Sequence, residues 1–245
     1  MKKNIVAITL IISVLAMTVI SCGGHKKDDD PVQPTNSWSP APGEGGTVPT
    51  SVLPTNLDSI VKLHFTVHTG ENPNLFDGQF LSDPHVLMFT NYMTTSTDTV
   101  GSVYNSRYIA FYKNGTKMDF YGKQWDDDND KFYNEAYRQL YVLGTGENFT
   151  CYYITEGYPN GMYAKQSTIF SGKWNESYGG LKDFQVAVIL TETSGNPNLA
   201  PVGSFRVLGD SDGLAINHTW IEGKSADSEE VQVSAEDAFS LFRVR

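Results

Sequence analysis

The chain has 245 residues with 18 basic and 28 acidic side chains, so its formal net charge is −10. This balance excludes nucleic acid and other polyanions as partners, because phosphate binding needs a stripe of Lys and Arg that the chain lacks. Hydrophobic residues make up 40% of the sequence, with 13 Tyr and 13 Phe, and this apolar content excludes a disordered body.

The first 22 residues have the pattern of an export signal. Lys2 and Lys3 precede an uncharged apolar run over residues 5–20, which is shorter than the roughly 20 residues of a membrane-spanning helix. The run ends at the small Ser21, followed by Cys22. This stretch resembles the signal of bacterial lipoproteins, which implies that Cys22 receives lipid and begins the mature chain. The alternative is a plain anchor helix.

A charged segment directly follows the cysteine. Residues 23–30 read Gly-Gly-His-Lys-Lys-Asp-Asp-Asp. They resemble the surface-export signal of Bacteroidota lipoproteins, and the alternative is a solvated spacer. The resemblance implies a protein that contacts the outer membrane through its lipid anchor and faces the cell exterior.

Residues 31–56 contain six prolines among Gly, Ser and Thr. This composition supports neither a helix nor a strand ladder, so it predicts a semi-extended tether. The sequence therefore divides into a signal peptide (1–21), a lipidated Pro/Gly-rich tether (22–56) and a single all-β domain (57–245).

Alternating apolar and polar residues predict strands in the body. Residues 60–68 follow the period-2 pattern of a half-buried strand. Asn114-Gly115 predicts a two-residue hairpin turn, whose register pairs Phe111 with Met118 on the core face. Further strands are predicted over residues 85–95, 149–155, 162–174, 184–191, 203–208, 214–220, 231–234 and 239–244.

Two segments bear on the fold class. Residues 184–190 are apolar on both faces, which predicts a central strand, and residues 131–143 are the one helix candidate, with a strand as the alternative. Short strands separated by turn residues predict an antiparallel β-sandwich of about nine to eleven strands with at most one short helix. A lipocalin-like or jelly-roll barrel is the alternative.

An acidic loop provides the one metal-site hypothesis. Asp126, Asp128 and Asp130 stand at alternate positions, as in the opening of a calcium loop. Lys131 and Tyr137 occupy the positions where an EF-hand needs glycine and glutamate, so an EF-hand is excluded. An irregular calcium site is one interpretation and a solvated loop is the other. Calcium is the only cofactor that the sequence predicts.

Three sequence features superficially resemble catalytic motifs of enzymes, but we expect structural roles for them. Residues 209–213 fit the G-x-S-x-G elbow of hydrolases, but the segment after them looks extended, so a tight acidic turn is expected. Asn175-Glu176 is similar to the Asn-Glu pair of some glycosidases, without their β/α-barrel context. Cys151 lies in an aromatic run and is expected to be a buried hydrophobe.

Aromatic side chains near strand ends are the candidate ligand-binding residues. Flat rings beside polar groups suit stacking on sugars, and the alternative is that the rings form a second core face. These rings are Trp125, Tyr121, Tyr108, Tyr112 and Trp174.

We therefore expect a non-catalytic surface module that binds an extracellular ligand, with carbohydrate as the favoured class. One alternative is a protein-interaction or assembly component of a surface complex. Another is an atypical hydrolase that uses Glu176 or the loop over residues 126–130.

Overall fold

The computed structural model describes residues 36–38, 44–92, 99–126 and 131–219. These residues form one α-helix, α1 (Thr55–His64), and a sheet of thirteen strands. The strands are β1 (Asn36–Trp38), β2 (Glu71–Pro73), β3 (Gly78–Ser82), β4 (His85–Thr90), β5 (Val103–Tyr104), β6 (Arg107–Asn114), β7 (Lys117–Asp126), β8 (Lys131–Gly146), β9 (Asn148–Gly157), β10 (Ala164–Trp174), β11 (Gly180–Thr193), β12 (Phe205–Asp210) and β13 (Leu214–Asn217). Among these residues, no helix meets the length and hydrophobicity that crossing a bilayer requires.

Eight strands close into an antiparallel barrel. Their order is β9-β8-β7-β6-β3-β13-β11-β10, and β10 pairs again with β9. The all-β prediction is confirmed, but the sandwich prediction is wrong. The reason is the pairing of β3 with both β6 and β13, which joins the two ends of the sheet into one continuous wall.

The remaining strands extend this wall at shared edges. One edge of β11 pairs with β13 over Gly180 to Lys182 and with β12 from Gln185 to Ile189. Asp183 lies between these two stretches and has a positive φ of 53°. Beyond β12 the sheet continues through β4 to β5, while β1 pairs with β9 and β2 runs parallel to β8.

Phenylalanine rings fill the barrel interior. Phe111 is central among them, with ring centroids 5.5 Å from Phe120, 5.6 Å from Phe76 and 6.0 Å from Phe170. All eight barrel strands contribute buried side chains to this cluster. An eight-stranded barrel is just wide enough for side chains to fill. The interior is therefore a packed core.

Helix α1 packs on the outside of the same wall. Leu53, Leu57, Val61 and Phe65 are buried at a spacing of four, whereas Leu63 is 77% exposed. They meet outward-facing apolar side chains from β8 to β12, most of them aliphatic. The strand predicted over residues 60–68 is therefore wrong, because burial there follows a helical stripe.

The predicted hairpin and central strand are both present. Phe111 and Met118 face the core as expected, but Phe111 pairs with Phe120, two residues from the predicted register, because the loop is Gly115-Thr116. Gly115 supplies the positive φ, 62°, that the turn needs. In β11, successive residues point alternately into the interior and into the α1 layer, so the central-strand prediction is confirmed.

Some elements differ from the sequence prediction or were not predicted. The helix candidate over residues 131–143 is wrong, since this segment belongs to the long strand β8. Strands β1, β2, β3 and β5 were not predicted, and β1 pairs with β9 although residues 31–56 were predicted to support no strand ladder. The strands predicted over residues 231–234 and 239–244 lie outside the described residues.

Candidate ligand-binding clefts at one end of the barrel

Two open clefts adjoin at the end of the barrel where β10 stops. Both are lined by Trp174. The larger, about 460 Å³, is here named the Gln79 cleft and is lined by Asp77, Gly78, Gln79, Tyr112, Trp174, Asn217, His218 and Thr219. The smaller, about 290 Å³, is named the Lys113 cleft and is lined by Asn74, Leu75, Lys113, Trp174, Asn175 and Glu176.

Trp174 is held rigidly by the barrel core. It is the last residue of β10, and its ring stacks on Phe76 with centroids 5.0 Å apart and meets Phe80 edge-on at 5.6 Å. Its backbone N–H donates to the carbonyl of Glu147 at 2.8 Å. The ring is partly buried, and its remaining surface lines the two clefts.

The turn after Trp174 is fixed by one carboxylate. Tyr178 Oη donates to Glu147 Oε2 at 2.6 Å, and Asn175 Nδ2 donates to Glu147 Oε1. These two hydrogen bonds lower the pKa of Glu147, the bond from Tyr178 more than the bond from Asn175. Asn175 Oδ1 also accepts from the backbone N–H of Ser177 at 2.9 Å. Asn175 is thus committed to positioning the turn, and the neighbouring Glu176 is exposed at the cleft.

The Gln79 cleft is built from β3, β6 and β13. Tyr112 hydrogen-bonds the Gln79 side chain, and burial raises the pKa of its hydroxyl. The backbone N–H of His218 donates to the carbonyl of Gln79 at 2.8 Å, which fixes the chain after β13 against β3. The His218 ring meets Tyr108 edge-on at 5.7 Å.

One hydrogen bond links the two clefts. Asp77 Oδ1, from the Gln79 cleft, accepts from the backbone N–H of Lys113 at 2.6 Å. The lining side chains provide two carboxylates, one ammonium group, amides, hydroxyls and an indole ring. Such groups can hydrogen-bond and stack on a polar ligand without favouring a strongly charged one.

The structure brings only some of the predicted aromatic residues together. Trp174 lies in the clefts, and Tyr108 reaches them through His218. Trp125 lies near the other end of the β6–β7 hairpin, where its backbone N–H donates to Ser106. Tyr121 is partly buried on β7 opposite Ala110.

The calcium prediction falls largely outside the described residues. Asp126 ends β7, but its side chain is not described, and Asp128 and Asp130 lie in the gap that follows. Within the described part of the chain, no group of three or more His, Cys, Asp or Glu side chains is placed to hold a metal ion. Cys22 also lies outside the described residues. Calcium binding and lipidation remain predictions.

The catalytic resemblances have structural explanations. Residues 210–213 form a tight turn followed by strand β13, as the acidic-turn interpretation expected. Cys151 is fully buried in the barrel interior, and burial raises the pKa of its thiol.

The structure also brings a serine and a histidine together, since Ser82 Oγ lies 2.9 Å from His85 Nδ1. Both side chains are fully buried, so neither can reach a substrate.

Sequence reasoning missed most of the Gln79 cleft. Asp77 and Gln79 belong to a short segment that was not recognised as a strand. The turn residues Asp77-Gly78 and Asp83-Pro84 on both sides of it were the available signal, because such pairs delimit short strands.

A third cleft of about 250 Å³ lies beside α1. It is lined mainly by threonine and aliphatic side chains. Its two charged residues already pair with each other, since Lys62 Nζ lies 2.8 Å from Asp58 Oδ1. This cleft therefore offers a ligand fewer unused polar groups than the clefts at Trp174.

No protein-family model, curated protein or solved structure matches the chain. The clefts themselves are therefore the features that indicate function.

Proposed function

We propose that the protein is a non-catalytic binding module that holds an extracellular ligand in the Gln79 and Lys113 clefts. Carbohydrate is the ligand class that we favour. The observation that carries this proposal is the Trp174 ring, which Phe76 and Phe80 fix from within while polar side chains surround its open surface.

The chemistry of this arrangement suits a sugar. The C–H face of a pyranose ring packs on an aromatic surface, and amides and carboxylates bind its hydroxyls. Because Trp174 is already ordered by the core, binding costs little side-chain entropy.

We propose that the module is exported and anchored by lipid at Cys22 in the outer membrane, facing the cell exterior. The support is the sequence pattern of residues 1–30. Replacing Cys22 with Ala is expected to move the protein from the membrane fraction to the soluble fraction. Unchanged membrane association of this variant would contradict lipid anchoring.

Affinity electrophoresis of the purified protein through gels containing single soluble polysaccharides tests the ligand class. We expect one neutral polysaccharide to retard the protein, and Trp174→Ala to abolish the retardation. Trp125→Ala is the matched control, because Trp125 lies near the other end of the hairpin from the clefts, and it should leave retardation unchanged. Uniform failure of retardation across the panel would overturn the carbohydrate proposal.

The same gels run with calcium and with a chelator test the acidic loop. If Asp126, Asp128 and Asp130 hold calcium that supports binding, the chelator will weaken retardation and Asp128→Asn will reproduce this effect. Identical retardation under both conditions would remove calcium from the proposal.

A second candidate function is assembly into a surface protein complex. Three exposed apolar side chains on and beside the outermost strands favour it: Met88 is 39% exposed, Val100 63% and Val103 69%. Strand β5 ends the path of paired strands, and such edges can pair with other chains. Recovery of the protein as a free monomer from gently solubilised outer membranes would count against this candidate.

A further inference from the structure

The two clefts have the layout of neighbouring subsites for one extended ligand. Tyr112 and Lys113 are adjacent on β6, yet the first lines the Gln79 cleft and the second lines the Lys113 cleft. The hydrogen bond from the Lys113 backbone N–H to Asp77 Oδ1 connects a lining residue of one cleft with a lining residue of the other. Trp174 lines both clefts, so a ligand in either cleft can contact this residue.

The volumes support a ligand that is longer than either cleft. Sites for drug-sized ligands enclose about 300–1,000 Å³. The Lys113 cleft, at about 290 Å³, is at the lower limit of this range. The Gln79 cleft, at about 460 Å³, is in its lower half. A small ligand therefore gains only part of the available contact, whereas a chain that crosses Trp174 gains both parts.

The side chains at the two ends have polar groups left for a ligand. In the described structure, Lys113 Nζ and the Glu176 carboxylate line the same cleft without forming a salt bridge, and Glu176 is exposed. Asn217 is exposed at the other cleft, where its backbone is engaged with Gly179 and with Phe80 of β3, while its side-chain amide forms no hydrogen bond among the described residues. Hydroxyl groups can both donate to the carboxylate and accept from the ammonium and amide groups.

The charge balance argues against an anionic chain. The two clefts contain Asp77 and Glu176 against one ammonium group, and the whole chain has a net charge of −10. A polyanion would meet like charge in each cleft.

On the basis of the proposed function, we infer that the ligand is a linear neutral glycan, bound through an internal segment of at least two sugar rings that straddles Trp174. One ring lies in the Gln79 cleft and one in the Lys113 cleft. Because both clefts are open to solvent, the chain continues beyond them at both ends.

Calorimetric titration of the full protein with oligosaccharides tests this inference. The probes are the cello-, malto-, manno- and xylo-oligosaccharide series from one to six units, with oligogalacturonate of matched length as the anionic comparison. In the series that binds, we expect affinity to rise by roughly tenfold or more from the monosaccharide to the tetrasaccharide and then to level off. Oligogalacturonate is expected to bind more weakly than the neutral chain.

Two variants locate the ends of the chain without touching the core. Lys113→Ala and Asn217→Ala are each expected to weaken tetrasaccharide binding several-fold, and together to reduce it toward the monosaccharide level. Lys62→Ala on α1 and Asn198→Ala in the loop after β11 are matched controls, which should leave affinity unchanged.

The outcomes separate this inference from the proposed function. Binding that is as tight for the monosaccharide as for the tetrasaccharide, or tighter for oligogalacturonate, overturns the straddling neutral chain but leaves a carbohydrate module. Binding that neither variant weakens also overturns it. Absence of binding to every oligosaccharide and polysaccharide overturns both.

Discussion

The barrel interior and the layer under α1 share one wall but are filled by different chemistry. The interior is dominated by phenylalanine, whereas the α1 layer consists mainly of Val, Leu, Ile and Ala. A closed barrel has a nearly fixed radius, so side chains have to fill its centre, and phenylalanine is the commonest residue among them here. A helix on an open surface can settle at the distance that smaller side chains allow. The interior is thus expected to tolerate truncation less well than the outer layer.

The largest effect should come from Phe111→Ala. Phe111 is fully buried at the centre of the aromatic cluster, so the ring leaves a cavity that the closed wall cannot collapse to fill. We expect a loss of about 3–5 kcal/mol in the free energy of unfolding. Urea denaturation followed by circular dichroism measures it, and Phe111→Leu is the control that should recover part of the loss.

Leu53→Ala probes the outer layer in the same assay. Leu53 is 3% exposed and packs with the helix stripe. We expect a loss of about 2–3 kcal/mol, near the lower end of values for buried leucine, because the helix can move toward the wall. A loss larger than that of Phe111→Ala would reverse the proposed difference between the two layers.

A spacing of four residues explains the two clearest failures of sequence prediction. Residues four apart share one face in a helix and also in a strand, since four is a multiple of two. Val61 and Phe65 were assigned to a strand, but Val61 lies in α1 and Phe65 caps it, whereas residues 131–143 were a helix candidate, with a strand as the alternative, and form a strand. Leu53 and Leu57, read together with Val61, would have identified the helix. The hairpin at Asn114-Gly115 was predicted, though not its register, because the chemistry of a turn is local.

The buried side chains at the junction between β3 and β4 are polar. His85 is fully buried, and burial followed by the nearby Arg107 charge lowers its pKa to about 3. The unfolded chain has a histidine pKa of about 6.5, so between pH 6.5 and pH 3 it binds a proton that the folded protein does not. Stability should therefore fall as the pH is lowered through this window, by up to about 1.4 kcal/mol per pH unit from this group.

Urea denaturation at a series of pH values, compared between wild type and His85→Asn, isolates the contribution of His85 to the pH dependence of stability. Asparagine can still hydrogen-bond Ser82 but does not titrate, so the stability of the variant should fall less steeply than that of the wild type between pH 6.5 and pH 3. Parallel curves for the two proteins would show that His85 is not the source of the slope.

The smallest effect on the free energy of unfolding is expected from a substitution on the exposed side of α1. The ion pair between Lys62 and Asp58 spans one helical turn, with side chains that are 48% and 39% exposed. Lys62→Met should cost only about 0.3–0.5 kcal/mol, and less in high salt. A salt-independent loss of more than about 1 kcal/mol would contradict a weak, solvent-screened ion pair, because methionine retains an apolar side chain of similar length.

The candidate clefts were only partly predictable for a related reason. Trp174 ends a recognisable strand and Glu176 closely follows it, so sequence inspection identified them. Gln79 and Asn217 meet only because β3 pairs with β13, a contact between segments more than a hundred residues apart that also closes the barrel. No local pattern encodes such a pairing, since it depends on the curvature of the whole wall.

The phenylalanine-filled interior also determines how fast a ligand can exchange. With the barrel centre occupied, a ligand at Trp174 is bound at the rim and has no enclosed chamber to enter. No rearrangement of the described strands is needed before association, so the on-rate should be set by diffusion and by the orientation of the docking chain. Residence times should correspondingly be short. A module anchored as we propose would hold a polymer through repeated brief contacts, many copies at once, and would release it without rearranging the described strands.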